Sequence, residues 1–241
     1  MEIDQNHSVR KKLKEYILEG LMIFVAVTMG FIAENIREKI SDNEREQTYM
    51  KSLVEDLTLD KDELTKEINE TTLRLLLLDS LINSLSLPTL TKNTSNLYYY
   101  ARLASKSGTF SANTLTIDQI KNSGTFRVIK NTSVTSKMIE YYLLTQSIKH
   151  YENIENQEEN EYRSIAVQIF DATIFNQINS TMTVLRPANN PPLRTTDRKL
   201  LGDLAGWVHY IKNTRISLVN YKIELLKKGE ELIQLIDQQY Q

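Results

Sequence analysis

The residues best suited to chemistry in this chain are three histidines, His7, His150 and His209, and a large number of carboxylates. Histidine serves as a general base near neutral pH and as a common metal ligand. His150 and His209 could meet across a helical bundle beside Glu152 or Glu155. However, di-metal sites in bundles use repeated Glu-x-x-His pairs, and this chain has none. Since the HExxH, P-loop and GxSxG motifs are also absent, we expect no catalytic residue, metal site or cofactor, and a protein that is not an enzyme.

The composition narrows the remaining classes of function. The chain has no cysteine, which rules out disulfides and thiolate chemistry. Its formal net charge of −2 gives no sign of the basic face that a nucleic-acid partner would need. Only seven glycines and four prolines occur in 241 residues. Because sheet-rich folds need more turn residues, this scarcity favours long helices.

An uncharged apolar run, "LMIFVAVTMGFIA", extends from Leu21 to Ala33. With its flanks it covers residues 16–36, which make about 31 Å of helix, enough to cross a bilayer. Leu21 to Val25 are apolar at consecutive positions, so no face is polar, whereas an interfacial helix keeps a charged face. A buried core helix could also be apolar all round. We predict a transmembrane helix over residues 16–36.

A stripe of small and acidic residues follows one face of this helix: Glu19, Ala26, Gly30, Ala33 and Glu34. Small residues four apart let another helix backbone approach closely, so the stripe predicts packing against partner helices in the membrane. The alternative is that small residues are simply common in spans and that both glutamates lie at the headgroups. Acids inside a membrane can carry protons, but these two lie near the ends of the segment.

The basic residues before the apolar run predict its orientation. Arg10, Lys11, Lys12 and Lys14 lie on the N-terminal side, and lysine and arginine are retained in the cytoplasm. No small-x-small cleavage site follows the run, so we expect an uncleaved anchor. The prediction is a short basic cytoplasmic segment over residues 1–15 and a periplasmic region over residues 37–241, on a bacterial inner membrane.

Three long helices are predicted beyond the span, at about residues 42–87, 135–175 and 197–239. In the first, apolar residues recur in steps of three and four, with gaps filled by Asp60 or Lys61 and by Thr71. This predicted seam comprises Met50, Leu53, Leu57, Leu64, Ile68, Leu75, Leu78, Ile82 and Leu85. The third carries a similar stripe: Leu201, Leu204, Val208, Ile211, Leu218, Leu225, Leu232 and Ile236. Because no single helix can bury such a stripe, we predict an elongated antiparallel bundle, all-α, that continues from the membrane helix.

Two irregular segments connect these helices. Residues 88–133 predict an insert of short helices, one of them closed by Gly124. Residues 176–194, with "RPANNPP", predict a loop at the opposite end of the bundle. Within the insert, Tyr98, Tyr99 and Tyr100 cannot all face one core. An exposed aromatic residue indicates a partner contact, although two of them could pack while the third caps the bundle.

Three segments carry a family resemblance: "ENIREKISDNEREQTYMKSLVEDLTLDKDEL", "TIDQIKNSGTFRVIKNTSVTSKMIEYY" and "YKIELLKKGEELIQLID". Together they resemble an uncharacterised family of single-span inner-membrane proteins that is abundant in Bacteroidota. The resemblance covers most of the chain. It implies the same topology, a single span followed by a periplasmic helical domain, and implies no activity.

We therefore expect a membrane-anchored structural or interaction subunit that contacts lipid and forms a homo-oligomer or joins other envelope proteins. One alternative is a periplasmic ligand-sensing module, which would need a partner because about 15 cytoplasmic residues cannot form an output domain. A second alternative is an accessory subunit of an ion-coupled motor or transport system. An acid deep in the span would favour that class, and none lies mid-membrane. A hydrolase is the least supported class.

Overall fold

A computed structural model describes residues 3–88, 90–180 and 183–240, with side chains from residue 15 onwards. The fold is all-α, and the described residues contain no β-strand. Six helices follow one another, with 3-10 turns at Leu90–Lys92 and Thr125–Val128. The helices are α1 (Ile3–Ser86), α2 (Thr94–Ala104), α3 (Leu115–Asn122), α4 (Thr132–Ile169), α5 (Ala172–Ile178) and α6 (Arg198–Tyr240).

Helix α1 is continuous over 84 residues, which makes it about 126 Å long at about 1.5 Å per residue. It passes through the capping-box sequence at Ser41 without a break and ends at Ser86, two residues before Pro88. Proline has no backbone N–H and disfavours helix at the preceding residue, which explains this end. Residues 15–45 are almost entirely exposed, and regular burial begins at Glu46. One helix therefore carries both the apolar segment and one wall of the bundle.

The predicted stripes form the core of the bundle. All eight apolar stripe residues of α6 are buried. On α1 the seam is buried or half-buried throughout, and its first gap is filled by Asp60, which is 2 % exposed, rather than by Lys61. Heptad spacing keeps one face of each helix towards its neighbours, which is why the sequence pattern was sufficient here.

Ion pairs between the helices define their directions. Lys61 pairs with Glu230 and Asp79 with Lys212, so α1 and α6 are antiparallel. Lys137 pairs with Glu231 near the start of α4, and Arg215 of α6 bonds Glu155 and Glu159 in the second half of α4, so α4 and α6 are also antiparallel. Helices α1 and α4 therefore run parallel, and α6 packs along both of them.

The insert runs back along the bundle, which corrects its predicted position at one end. The Phe110 amide contacts Glu152, the Asn113 amide contacts Asp60, and the Lys130 amide contacts Glu46, close to where the bundle begins. The insert thus returns the chain from the end of α1 to the start of α4. The proline-rich loop lies at the same end as α2, because Ser95 Oγ donates to the Pro187 carbonyl at 2.7 Å. The two segments predicted at opposite ends of the bundle are neighbours.

The second long helix differs from its predicted bounds of 135–175. It begins after Asn131, whose side chain accepts hydrogen bonds from the amides of Ser133 and Val134. It ends at Ile169 because Phe170 has extended backbone angles and is buried against Tyr98. Asp171 then caps α5. Asp197 caps α6 through the amides of Lys199 and Leu200, close to the predicted start of the third helix.

We name two regions of the bundle. The distal tip comprises residues 86–88, 90–104, 170–180 and 183–200, at the end farthest from the apolar segment. The trunk comprises residues 46–85, 105–169 and 201–240. A hydrophobic cluster occupies the tip and the adjoining part of the trunk, and a second occupies the part of the trunk nearer the apolar segment.

Candidate functional site

The apolar part of α1 is the one described helix that is long and apolar enough to cross a membrane, and none of its most apolar window is buried. The stripe residues Glu19, Ala26, Gly30 and Ala33 are all exposed. A side chain built at Gly30 would meet nothing within 4 Å. An apolar helix surface of this extent is not stable in water, so it indicates a lipid or protein environment. The side chains of Arg10, Lys11, Lys12 and Lys14, on which the predicted orientation rests, lie outside the described residues.

Glu34, the last stripe residue, forms a two-pronged ion pair with Arg37 at 2.5 and 3.0 Å. Both side chains are exposed at the end of the apolar segment. A carboxylate paired one turn away along its own helix is suited to the headgroup region. It is poorly suited to carry protons through the membrane.

Charged side chains are buried in the middle of the trunk. Arg215 is 1 % exposed and lies at a core position of the α6 heptad pattern, between Ile211 and Leu218. Its Nε donates to Glu155 at 2.5 Å and its Nη2 to Glu159 at 2.9 Å. One heptad later Lys222 is equally buried, with Nζ 3.5 Å from both Glu67 and Glu152. Burying these charges requires such partners, because an unpaired charge costs several kcal/mol.

These buried charges hold the backbone of the insert, which between Ser105 and Thr114 forms no helix. Buried backbone groups without a helix or sheet partner need another hydrogen bond. Arg215 Nη2 donates to the carbonyls of Ala104 and Lys106 at 3.0 and 3.2 Å. Arg163 donates to the Ser105 carbonyl at 3.1 Å.

Carboxylates accept hydrogen bonds from the amide groups of the same segment and of the first turn of α3. Glu152 accepts the Phe110 amide at 2.9 Å and Asp60 accepts the Asn113 amide at 2.8 Å. Asp56 accepts the Thr116 amide at 3.0 Å. Arginines therefore bond the carbonyls of residues 104–106, nearer the distal tip. Acids bond amides of residues 110–116, nearer the apolar segment. We name this set of contacts the charge latch.

Burial changes the pKa values of carboxyl groups in and beside the charge latch. It raises the pKa of Glu152 and of Glu159, because the charged form is desolvated. Burial also raises the pKa of Asp60 to about 6, against hydrogen bonds from Asn113 and Tyr141 that lower it. Raised carboxyl pKa values occur in catalytic acids. Here Glu152 and Glu159 are at most 8 % exposed. Glu152 accepts the Phe110 amide and Glu159 accepts from Arg215, so both acids take part in holding the insert against the trunk.

The histidines are not brought together. His150 and His209 are both exposed, and Glu155 lies opposite Arg215. In this antiparallel register His209 lies towards the tip and His150 towards the apolar segment. The predicted possibility that they meet is therefore wrong. Among the residues that the structure describes, no group of three His, Asp or Glu side chains is placed to hold a metal ion.

The three tyrosines of α2 have separate roles. Tyr98 is 0 % exposed, donates to the Pro192 carbonyl at 3.0 Å and accepts the Asp171 amide at 3.0 Å. Its burial removes it from the predicted partner contact, because it joins the proline-rich loop to α2. Tyr99 and Tyr100 are half-buried at the edge of the tip.

The charge latch was missed from the sequence, although a signal for it was present. Arg215, Lys222 and Gly229 continue the three-and-four spacing of the α6 stripe. Glu152, Glu155 and Glu159 do the same between Ile148 and Tyr162 of α4. Opposite charges at core positions of two helices predict a buried ion-pair layer.

Comparison with known proteins gives no further guide to function. No protein-family model, no curated protein and no solved structure matches the chain.

Proposed function

We propose that this protein is a membrane-anchored structural or interaction subunit that holds a binding end at a fixed distance from the membrane. The observation that carries the proposal is the continuity of α1, which joins the apolar segment to the tip without a break. From Ile36 to Ser86 the helix rises about 75 Å at about 1.5 Å per residue. The charge latch supports the same role, because it fixes the insert against the trunk.

We further propose that the protein lies in a bacterial inner membrane, with its N-terminus in the cytoplasm and its bundle in the periplasm. Lysines and arginines before the span support the orientation, and the resemblance to a family of single-span proteins of Bacteroidota supports the membrane. Its role is non-enzymatic, as a homo-oligomer or as part of a larger envelope complex.

Packing of the span through its small-residue stripe can be tested by replacing Gly30 with leucine. The added side chain would separate two helix backbones, so the assembled species should be lost when the full chain is analysed by size exclusion with light scattering in mild detergent. Gly20→Leu is the matched control, because Gly20 is rotated by nearly a quarter-turn about the helix axis relative to Gly30. Unchanged assembly in Gly30→Leu would contradict a role for the stripe.

Ligand sensing through a partner is the second candidate. A groove at the tip, lined by Ile178, Leu185 and Pro191 beside Arg186, favours it, because a small acidic compound could occupy that groove as well as a protein segment could. A ligand of this kind would raise the melting temperature of the full chain. The ion-coupled class is disfavoured by the Glu34–Arg37 pair.

A further inference from the structure

The distal tip carries an unbalanced positive charge. Residues 86–104 and 170–200 contain six bases and two acids, a net charge of +4. The whole chain has a net charge of −2, so the remaining residues carry −6 together. Both acids of the tip, Asp171 and Asp197, are occupied as helix caps. The six bases are Lys92, Arg102, Arg186, Arg194, Arg198 and Lys199.

None of these six bases forms a salt bridge within residues 15–88, 90–180 and 183–240. In the trunk, by contrast, many lysines and arginines are paired with a carboxylate. A group of unpaired cations at one end of a chain attracts a negatively charged partner and orients its approach.

Arg186 is the best-organised base of the group. Its guanidinium lies over the ring of Tyr99, 4.1 Å from the ring centroid. Its Nε donates to the side chain of Asn96 at 2.8 Å. Within the described part of the chain its two outer amino groups form no hydrogen bond. An arginine fixed in this way by a ring and an amide presents its remaining donors to a carboxylate with little loss of entropy.

A groove lies directly beside Arg186. Its volume is about 330 Å³, and apolar and uncharged polar residues line it beside Arg186: Ile174, Gln177, Ile178, Leu185, Pro187, Ala188, Asn189 and Pro191. Leu185 is 56 % exposed, so much of its side chain is accessible to a ligand in the groove. A cavity of this size and lining fits one aliphatic side chain next to a bound carboxylate.

The loop that forms this groove is held in place. The Leu185 amide donates to the Ile178 carbonyl at 2.8 Å. The Ser95 amide donates to the Asn190 side chain at 3.0 Å, and the Arg194 amide donates to the Ile169 carbonyl at 2.8 Å. A preformed site loses less entropy on binding than a loop that must order around its ligand.

We propose that the distal tip binds an acidic polypeptide segment, in which a carboxylate bonds Arg186 and a neighbouring aliphatic side chain enters the groove. The carboxylate could be a C-terminus or an aspartate or glutamate side chain, since both present the same two oxygens. This proposal deepens the proposed function by giving the chemistry of its partner. It does not depend on the stripe of the membrane segment.

A polypeptide fits the tip better than an acidic glycan does. Sugars stack on exposed aromatic faces, and one face of the Tyr99 ring is already covered by Arg186. The aliphatic residues that line the groove favour a ligand with an aliphatic side chain, which a glycan lacks. The anchor's own lipids lie about 75 Å away from the tip at about 1.5 Å per helical residue, so they are not the occupant.

The test measures binding of fluorescein-labelled hexapeptides to the full chain in detergent by anisotropy. One peptide set has a free C-terminal carboxylate after leucine, and its control set is amidated. A second set carries an internal Asp-Leu pair, and its control set carries Asn-Leu. Polygalacturonate serves as the glycan probe, and Arg186→Gln, Arg186→Lys and Arg45→Gln are the protein variants.

We expect one of the two acidic sets to bind, and its neutral control to bind about tenfold more weakly or worse, because a charge-assisted hydrogen bond is lost. Arg186→Gln should cause a loss of similar size, Arg186→Lys a smaller one, and Arg45→Gln none. The set that binds identifies the source of the carboxylate. Added salt should weaken binding, as for any charge-driven contact.

Several results would overturn the proposal. These are no binding by either acidic set, equal binding by the neutral controls, or equal binding to Arg186→Gln with an unchanged melting temperature. Binding of polygalacturonate alone would assign the tip to a glycan and would also overturn it. Loss of assembly in Gly30→Leu leaves peptide binding unaffected, so the two proposals fail separately.

Discussion

The trunk and the distal tip use the same residue type in opposite ways. In the trunk, Arg215 is buried between Glu155 and Glu159 and bonds the backbone of the insert. At the tip, Arg186 is exposed over Tyr99 and has no carboxylate partner among the described residues. The trunk arginine stabilises the fold, because losing its contacts would leave either its buried charge or the acceptors of its hydrogen bonds without a partner. The tip arginine contributes little to the fold and remains available to a partner. The difference separates residues that build this molecule from residues that connect it to others.

The largest expected effect is on stability, and it compares these two arginines directly. Arg215→Leu should lower the free energy of unfolding by about 3–5 kcal/mol, because it leaves two buried carboxylates and two backbone carbonyls without their donor. Arg186→Leu should change stability by no more than about 0.5 kcal/mol, as surface substitutions do. Urea unfolding of the full chain in detergent, followed by circular dichroism, measures both. Equal effects of the two substitutions would remove the distinction between trunk and tip.

A second prediction concerns the trunk and the pH dependence of its free energy of unfolding. The folded pKa of Asp60 is about 6, above its ordinary value of 3.8. Between these values the folded state keeps a proton that the unfolded state has released, so stability falls as pH rises through this range and levels off above it. Asp60→Asn stays neutral, and at pH 8 it should exceed the wild type by about 1–3 kcal/mol. At pH 4 the two should be nearly equal.

The control for this pH prediction is Asp62→Asn, which neutralises an exposed acid two residues away on α1. Its unfolding free energy should follow the wild-type pH profile. Glu152 and Glu159 also have raised pKa values and contribute with the same sign, so the difference between variants is the quantity to compare. Parallel profiles for the wild type and Asp60→Asn would contradict the buried state of Asp60.

The smallest predicted effects come from two glycines of the trunk, one with open space beside it and one against a carboxylate. Gly202 lies on the exposed side of α6 just below the tip, and a methyl group there meets nothing within 4 Å. Gly202→Ala should therefore stabilise the protein by up to about 1 kcal/mol through helix propensity. Gly108 of the insert lies against the Glu67 carboxylate. Gly108→Ala should destabilise the protein slightly, because the Glu67 carboxylate must shift to make room and its 3.5 Å contact with Lys222 is disturbed. Thermal unfolding of the two variants should shift in opposite directions, and shifts of the same sign would contradict this packing.

Much of the fold followed from spacing alone. The stripe of α6 and the seam of α1 repeat in steps of three and four, and a helix with such a face must bury it. Gly124 closes α3 with a φ of 67°, as its position after a helix predicts. The direction of the insert did not follow. Its short helices are local features, whereas its path is set by contacts with acids and arginines that are distant in sequence.

The candidate site was less predictable. Three consecutive tyrosines cannot share one core, which predicts that at least one is exposed, but this rule could not tell that Tyr98 is the buried one. Arg186 was not predicted, because its value depends on Asn96 and Tyr99, about ninety residues earlier in the chain. Nothing in its local sequence distinguishes it from the other bases of the proline-rich loop.

The measurement that tests the account most directly is affinity purification of the full chain from its own membranes in mild detergent. We predict that it is recovered in an assembly, with stoichiometric partner subunits or copies of itself, and that partner subunits are lost from Arg186→Gln but retained by Arg45→Gln. Recovery of the wild type as a monomer without partners would contradict an interaction subunit that holds its binding end away from the membrane.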